Sequence, residues 1–134
     1  MELQSWLEKF LRDHGGIAGT VHRRAAPDLL ELSAAVNIPP PVKAIVQQVP
    51  RGKGMAGLAL ERNEPVSTCN LQTDKTGDVR PGARAVNAQA AVALPVCDAQ
   101  GEVRAVVGIA YAGEKTMGDA ELAALGKSAS TLPG

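Results

Sequence analysis

Two cysteines, two histidines and a pair of arginines four positions apart are the groups in this 134-residue chain best suited to chemistry. Arg80 and Arg84 stand in the stretch "TDKTGDVRPGARAVN". Two guanidiniums at that spacing can clamp a carboxylate or a phosphate. Thr68, Asn70 and Gln89 flank the stretch and can add neutral hydrogen bonds, whereas Asp74 and Asp78 compete for the same cations in local salt bridges. Cys69 ends the short run "VSTC" and enters the same stretch, and Cys97 opens the turn "CDAQGE". A thiol is reactive where a nearby cation lowers its pKa and solvent reaches it. Two cysteines make no disulfide framework, and in a reducing compartment they stay free thiols. His22 is a ligand, a base or a structural residue, with no Cys, His or Asp motif beside it. The chain has no His-Glu-x-x-His, no C-x-x-C and no serine-nucleophile elbow, so neither a metal nor a catalytic constellation is expected.

The segment "GKGMAG", Gly52 to Gly57, matches the G-x-G-x-x-G pattern of a dinucleotide-binding turn. That chemistry also needs a preceding strand, a βαβ unit and an acidic residue about 20 positions on. Here the preceding "KAIVQQVP" has helical spacing and ends in Pro50, and the next strand-like run starts at Val66 and ends in Cys69-Asn70. No Lys-Ser/Thr pair follows, which removes a phosphate-binding P-loop. The glycines instead suit backbone geometry: Gly52 and Gly54 a turn with positive φ between two short helices, and Gly57 a close approach of the helix backbone to the sheet. No cofactor is expected.

Composition narrows the partners. Fourteen Lys plus Arg balance fourteen Asp plus Glu. A net charge of zero gives no electrostatic footprint for nucleic acid or an anionic membrane. Trp6, Phe10 and Tyr111 are the only aromatic residues, too few for a base-stacking surface. No apolar run reaches the roughly 20 residues of a membrane helix, and the N-terminus lacks the basic start of a signal peptide. A cytoplasmic protein follows as the expectation.

The elements that must position these groups are legible as periodicities. Leu3, Trp6, Leu7, Phe10 and Leu11 form one helical stripe over residues 1–14, which Gly15-Gly16 ends. Such a face buries against a sheet or against a second copy. Ile17–Arg23 and Leu29–Val36 read as a hairpin joined by "RRAAPD", the second strand alternating Leu30, Leu32, Ala34 and Val36 with Glu31, Ser33 and Ala35. Pro39–Pro41 open a short helix with Val42, Ile45, Val46 and Val49 on one side, ended by Pro50. A second short helix spans Met55 to Arg62, and Val66–Cys69 is a short strand. Residues 70–87 show no periodicity, a length of loop that is usually functional or mobile. Ala88, Ala90, Val92, Leu94 and Val96 alternate along one strand, and Val103, Ala105, Val107, Ile109 and Tyr111 along the next. Their other faces, with Ala91, Ala93, Val106 and Ala110, are also apolar, so both sides of the sheet are covered. Thr116, three before Asp119, signals the cap of a last helix over 119–128. The order gives one α+β domain, residues 1–134, with an antiparallel sheet over 17–112.

The stretches "VPRGKGMAGLALERNEPVSTCNL" and "AAVALPVCDAQGEVRAVVGIAYA" resemble the signature of GAF domains. The first has the glycine turn, small-residue helix and Glu64-Pro65-Val66 strand entry. The second has the closing hairpin, an apolar strand ending in Pro-Val, a Gly turn and Val-Gly-hydrophobic-Ala. The resemblance covers Ile17 to about Leu125. It implies a PAS-related fold of five or six antiparallel strands, terminal helices on one face, and short helices plus a long loop over a pocket on the other. It also implies a small-molecule sensor that dimerises through its terminal helices.

Within that resemblance, the purine-binding Asn-Lys-Phe-Asp-Glu set finds no match, since the only Phe is Phe10. Bilin attachment finds none either. One branch of the family reduces free methionine sulfoxide with cysteines around the pocket. Its cysteine just before the penultimate strand is replaced here by Ala85, Val86 and Asn87. The resulting expectation is a non-catalytic sensor for a small, anionic metabolite, held by Thr68, Cys69, Asn70, Arg80, Arg84 and Gln89. The alternatives are an interaction module with a filled pocket, and a thiol-dependent sulfoxide reductase.

Overall fold

The computed structural model describes residues 2–68 and 89–133. Helix α1, Leu3–His14, is where the stripe predicts it, and Gly15 closes it in the left-handed conformation (φ 72°) with its N–H on the Leu11 carbonyl. Strands β1, Ala18–Ala26, and β2, Leu29–Val36, form a hairpin. Helix α2, Pro40–Ile45, leads to β3, Gln48–Pro50, and then to α3, Gly54–Arg62. Strand β4, Val66–Thr68, comes before the undescribed residues. Strands β5, Ala90–Cys97, and β6, Val103–Tyr111, and helix α4, Asp119–Ala129, complete the order. The six strands form one antiparallel sheet in the order β3-β2-β1-β6-β5-β4. No described helix is long and apolar enough to cross a membrane.

Both terminal helices lie on one face of this sheet. Trp6, Leu7, Phe10 and Leu11 are buried with Val21, Leu94, Val107, Ile109 and, from α4 and the residues after it, Leu125, Ala129 and Leu132. Each of the larger apolar side chains contributes ~1.5–3 kcal/mol by leaving water, more than helix propensity supplies to a 12-residue helix. Trp6 stacks on Phe10 at 5.1 Å between centroids, and its Nε1–H donates to Thr131 Oγ1 at 3.0 Å. The opposite face carries α3, whose Ala59 and Leu60 pack on Leu30, Val66, Ala93 and Val106.

Several local readings need correction. Val49 and Pro50 belong to β3, paired with Leu30 and Leu29, and not to the preceding helix. Proline has no N–H to give a ladder, so it is tolerated at this outermost strand. The β1–β2 turn is only Pro27-Asp28, and Arg23–Ala26 continue the strand. On β2 the alternation does not stay on one face. His22 pairs with Leu32 and Val21 with Ala34, so Ser33 is an extra residue, a bulge. Leu30 therefore points toward α3, while Ala34 and Val36 point toward α1. A second bulge at Arg104 turns Val103 toward the α3 side and lets Arg104 Nη2 donate to the Leu132 carbonyl at 2.8 Å. At α4 the N-cap is Gly118, with no side-chain cap, so Thr116 does not act as one.

Candidate functional site

The antiparallel register assembles a patch of small residues on the α3 side of the sheet. Ala18 lies opposite Ala110 and Thr20 opposite Gly108 on β1 and β6. Gly108 in turn lies opposite Ala93, and Ala110 opposite Ala91, on β5. Six neighbouring positions thus carry nothing larger than threonine. Further along this face Val106, Leu30 and Val66 are larger, and α3 rests on them directly. Met55 of α3 reaches Ala18 and Ala110, and beside it, over the small patch, the described side chains leave a partly open cavity of about 140 Å³. Met55 and Ala56 of α3 and Ile38, just before α2, form its walls.

Among the described lining residues, Thr20 carries the only side-chain oxygen or nitrogen. Its hydroxyl has no hydrogen-bond partner among the described residues. Gly108 makes room for it, since a Cβ there would sit 2.7 Å from Thr20 Oγ1. What the arrangement can do is take up a small molecule with an apolar body and offer it one hydroxyl. The described lining residues include no thiol, imidazole or carboxylate.

The sequence-predicted site residues fall into two groups. Thr68 is buried, pairs with Ala91 and shares the α3-side face of β4 with Val66. Gln89, just before β5, donates its backbone N–H to the Tyr111 carbonyl at 2.8 Å. Neither is among the residues that line the cavity. Cys69, Asn70, Arg80 and Arg84 lie outside the described residues. Sequence reasoning missed Thr20, Gly108 and Met55. The available signal was the run of alanines on the second face of the last two strands.

His22 follows Thr20 by two on the same strand and is 3% exposed. Its Nε2 lies 2.9 Å from the Val46 carbonyl oxygen, which can only accept, so Nε2 carries the proton and donates. Nδ1 is then a buried acceptor with no partner among the described residues. Burial lowers the imidazole pKa, opposed by the Val46 bond. With the folded value below the ordinary 6.5, stability from neutral His22 is complete above that pH. It is lost as pH falls from there toward the folded pKa, because the unfolded chain binds a proton that the folded chain resists. Denaturant unfolding between about pH 7 and pH 5 is expected to show a steeper loss of stability for the native protein than for His22→Gln. Equal slopes would contradict this account of His22. The residue is structural: it ties the α2–β3 connection to the sheet.

Cys97 is exposed, and its Sγ–H donates to Asn63 Oδ1 at 3.2 Å. It stands four residues past Ala93, roughly 13 Å along the strand, away from the cavity. Among the described residues no cluster of His, Cys, Asp or Glu could hold a metal ion. The glycine motif is a structural turn, with Gly52 at φ 81°, Gly54 at φ 64° and the Gly52 N–H donating to the Gly57 carbonyl at 2.9 Å.

No protein-family model matches this sequence, and no curated protein matches it. Solved structures do match. A type II free methionine-R-sulfoxide reductase from Thermoplasma acidophilum is 17% identical at a TM-score of 0.74, over 96% of this chain and 85% of that one. The GAF domain of a phosphoenolpyruvate-protein phosphotransferase from Coxiella burnetii is 17% identical at 0.73, over 97% and 74%. Staphylococcus aureus NreA, mutated in its nitrate-binding site, is 14% identical at 0.69, over 90% and 96%. With this strand order, these terminal helices and these likenesses, the chain has the GAF-domain fold.

Proposed function

We propose that the chain is a cytoplasmic sensor module that binds a small metabolite between the sheet and α3 and does not transform it. The observation that carries this reading is the two-by-three patch of small residues, which leaves a cavity of about 140 Å³ where a closed core would otherwise form. An apolar cavity of roughly 150 Å³ takes a molecule of benzene's size, so a ligand body of about six to eight heavy atoms suits it. The described side chains do not fill this space, which favours binding over a filled interaction module. Arg80 and Arg84 are proposed to receive an anionic group of the ligand, with Thr68, Cys69, Asn70 and Gln89 around it. The nitrate-binding site of NreA, a protein of the same fold, supports an anion.

Thermal unfolding in the presence of nitrate and of short carboxylates tests this. A bound anion at about a hundredfold excess over Kd is expected to raise Tm by about 5–10 °C. Arg80→Ala and Arg84→Ala are expected to reduce the shift. No shift with any anion, or equal shifts in the arginine variants, would contradict the anionic part. A homodimer through the terminal helices belongs to the same reading. Because the α1 stripe is buried within the chain, the dimer would use outward positions such as Glu8 and Arg12. Monomer mass by light scattering would sink it.

The likeness to a free methionine-R-sulfoxide reductase favours a second reading, with Cys69 as nucleophile. Cys97→Ser is expected to leave fold and any sulfoxide reduction unchanged, because Cys97 stands away from the cavity. Loss of turnover in Cys69→Ser would establish the thiol enzyme. No turnover by the native protein would remove it.

A further inference from the structure

We propose that Thr20 and Gly108 together select the ligand of this cavity, a small molecule whose enclosed end is apolar except for one uncharged hydrogen-bonding atom set against Thr20 Oγ1. The inference rests on the sensor reading and names the chemistry of its site. The walls are methyl and methylene groups from alanines, Ile38 and Met55. A charge pushed into such surroundings loses its hydration with nothing to replace it. An anionic group therefore stays out of this end of the site. A molecule with no polar atom here would leave the Thr20 hydroxyl desolvated and unpaired, which is also costly. The accepted class lies between these limits. Threonine both donates and accepts, so a hydroxyl, an amide or an ether oxygen satisfies it equally.

Gly108 is the second half of the device. It pairs with Thr20 across β1 and β6 and leaves the space into which the hydroxyl projects. A Cβ at 108 would stand 2.7 Å from Oγ1, closer than real contacts allow, so any other residue there turns the hydroxyl away.

Benzene and phenol are suitable probes, because both suit a cavity of this volume and differ by one hydroxyl. Titrations followed on the methyl resonances of Ala91, Ala110 and Met55 report binding at the site itself. Phenol's advantage over benzene is expected to fall about threefold to tenfold in Thr20→Val, which keeps the shape and removes the oxygen. Thr20→Ser is expected to keep most of the advantage, and Gly108→Ala to lose it as Thr20→Val does. An unchanged phenol-to-benzene ratio in Thr20→Val overturns the role of Thr20 while the cavity stands. An unchanged ratio in Gly108→Ala overturns the role of Gly108. If neither probe moves these resonances in the native protein, the cavity reading and this inference both fall.

Discussion

Phenylalanine in place of Ala91 is expected to abolish binding of small molecules and to leave the fold intact. Ala91 is half-buried on β5 and lines the cavity, opposite Ala110 and beside Thr68. A phenyl ring there brings a benzene-sized group into a space that holds about one such group. No described core side chain has to move, because the described side chains do not fill the space between the sheet and α3. Affinity for phenol is expected to fall at least about fiftyfold, as complete steric exclusion requires. Tm is expected to stay within about 3 °C, in the range of substitutions that disturb no packed contact. Titration and thermal unfolding of the same sample check both halves. Native affinity in a folded Ala91→Phe protein would mean that ligands bind elsewhere.

The second large effect is expected at Gly57. Helix propensity alone predicts that Gly57→Ala stabilises α3 by about 1 kcal/mol. The structure predicts the opposite sign. A Cβ on Gly57 would collide with the Pro50 carbonyl oxygen and would lie 3.2 Å from the Gly52 nitrogen. Neither neighbour is a side chain that can swing away. Pro50 is held in β3 against Leu29, and Gly52 donates to the Gly57 carbonyl. Relief requires α3 to lift from its support, a cost of about 1–3 kcal/mol. For a domain of this size that lowers Tm by roughly 4–10 °C. Because Met55 and Ala56 wall the cavity from the same helix, phenol binding should weaken as well. A Gly57→Ala protein more stable than native would show that propensity outweighs the contact.

The elements set by strong periodicity were legible from residues alone. The α1 stripe and the alternation along β5 needed only 3.6- and 2-residue spacing to be read. The third aspect of the glycine motif, a close approach at Gly57, was legible too, although its partner is β3 and not the body of the sheet. What escaped is what depends on a partner strand. Val49 fits a helical stripe as well as it fits β3, and only pairing with Leu30 decides. The bulges at Ser33 and Arg104 switch faces midway through strands whose sequences alternate without interruption. The cavity escaped for the same reason. Ala18, Thr20, Ala91, Ala93, Gly108 and Ala110 come from three strands, and only the register brings them together. Thr68 and Gln89 were picked for their polarity, whereas the described lining of the cavity is mostly apolar. Cys69, Asn70, Arg80 and Arg84 lie outside the described residues, and their part in binding stays with the arginine substitutions.

The central claim is that the space between the small-residue patch and α3 receives a small molecule. Diffraction from crystals held under xenon tests it most directly, because xenon enters apolar cavities of this size without needing a specific ligand. The account predicts an anomalous peak among Ala18, Ala91, Ala110 and Met55, absent from crystals of Ala91→Phe. Xenon bound elsewhere in the protein, with no peak at those residues, would contradict it.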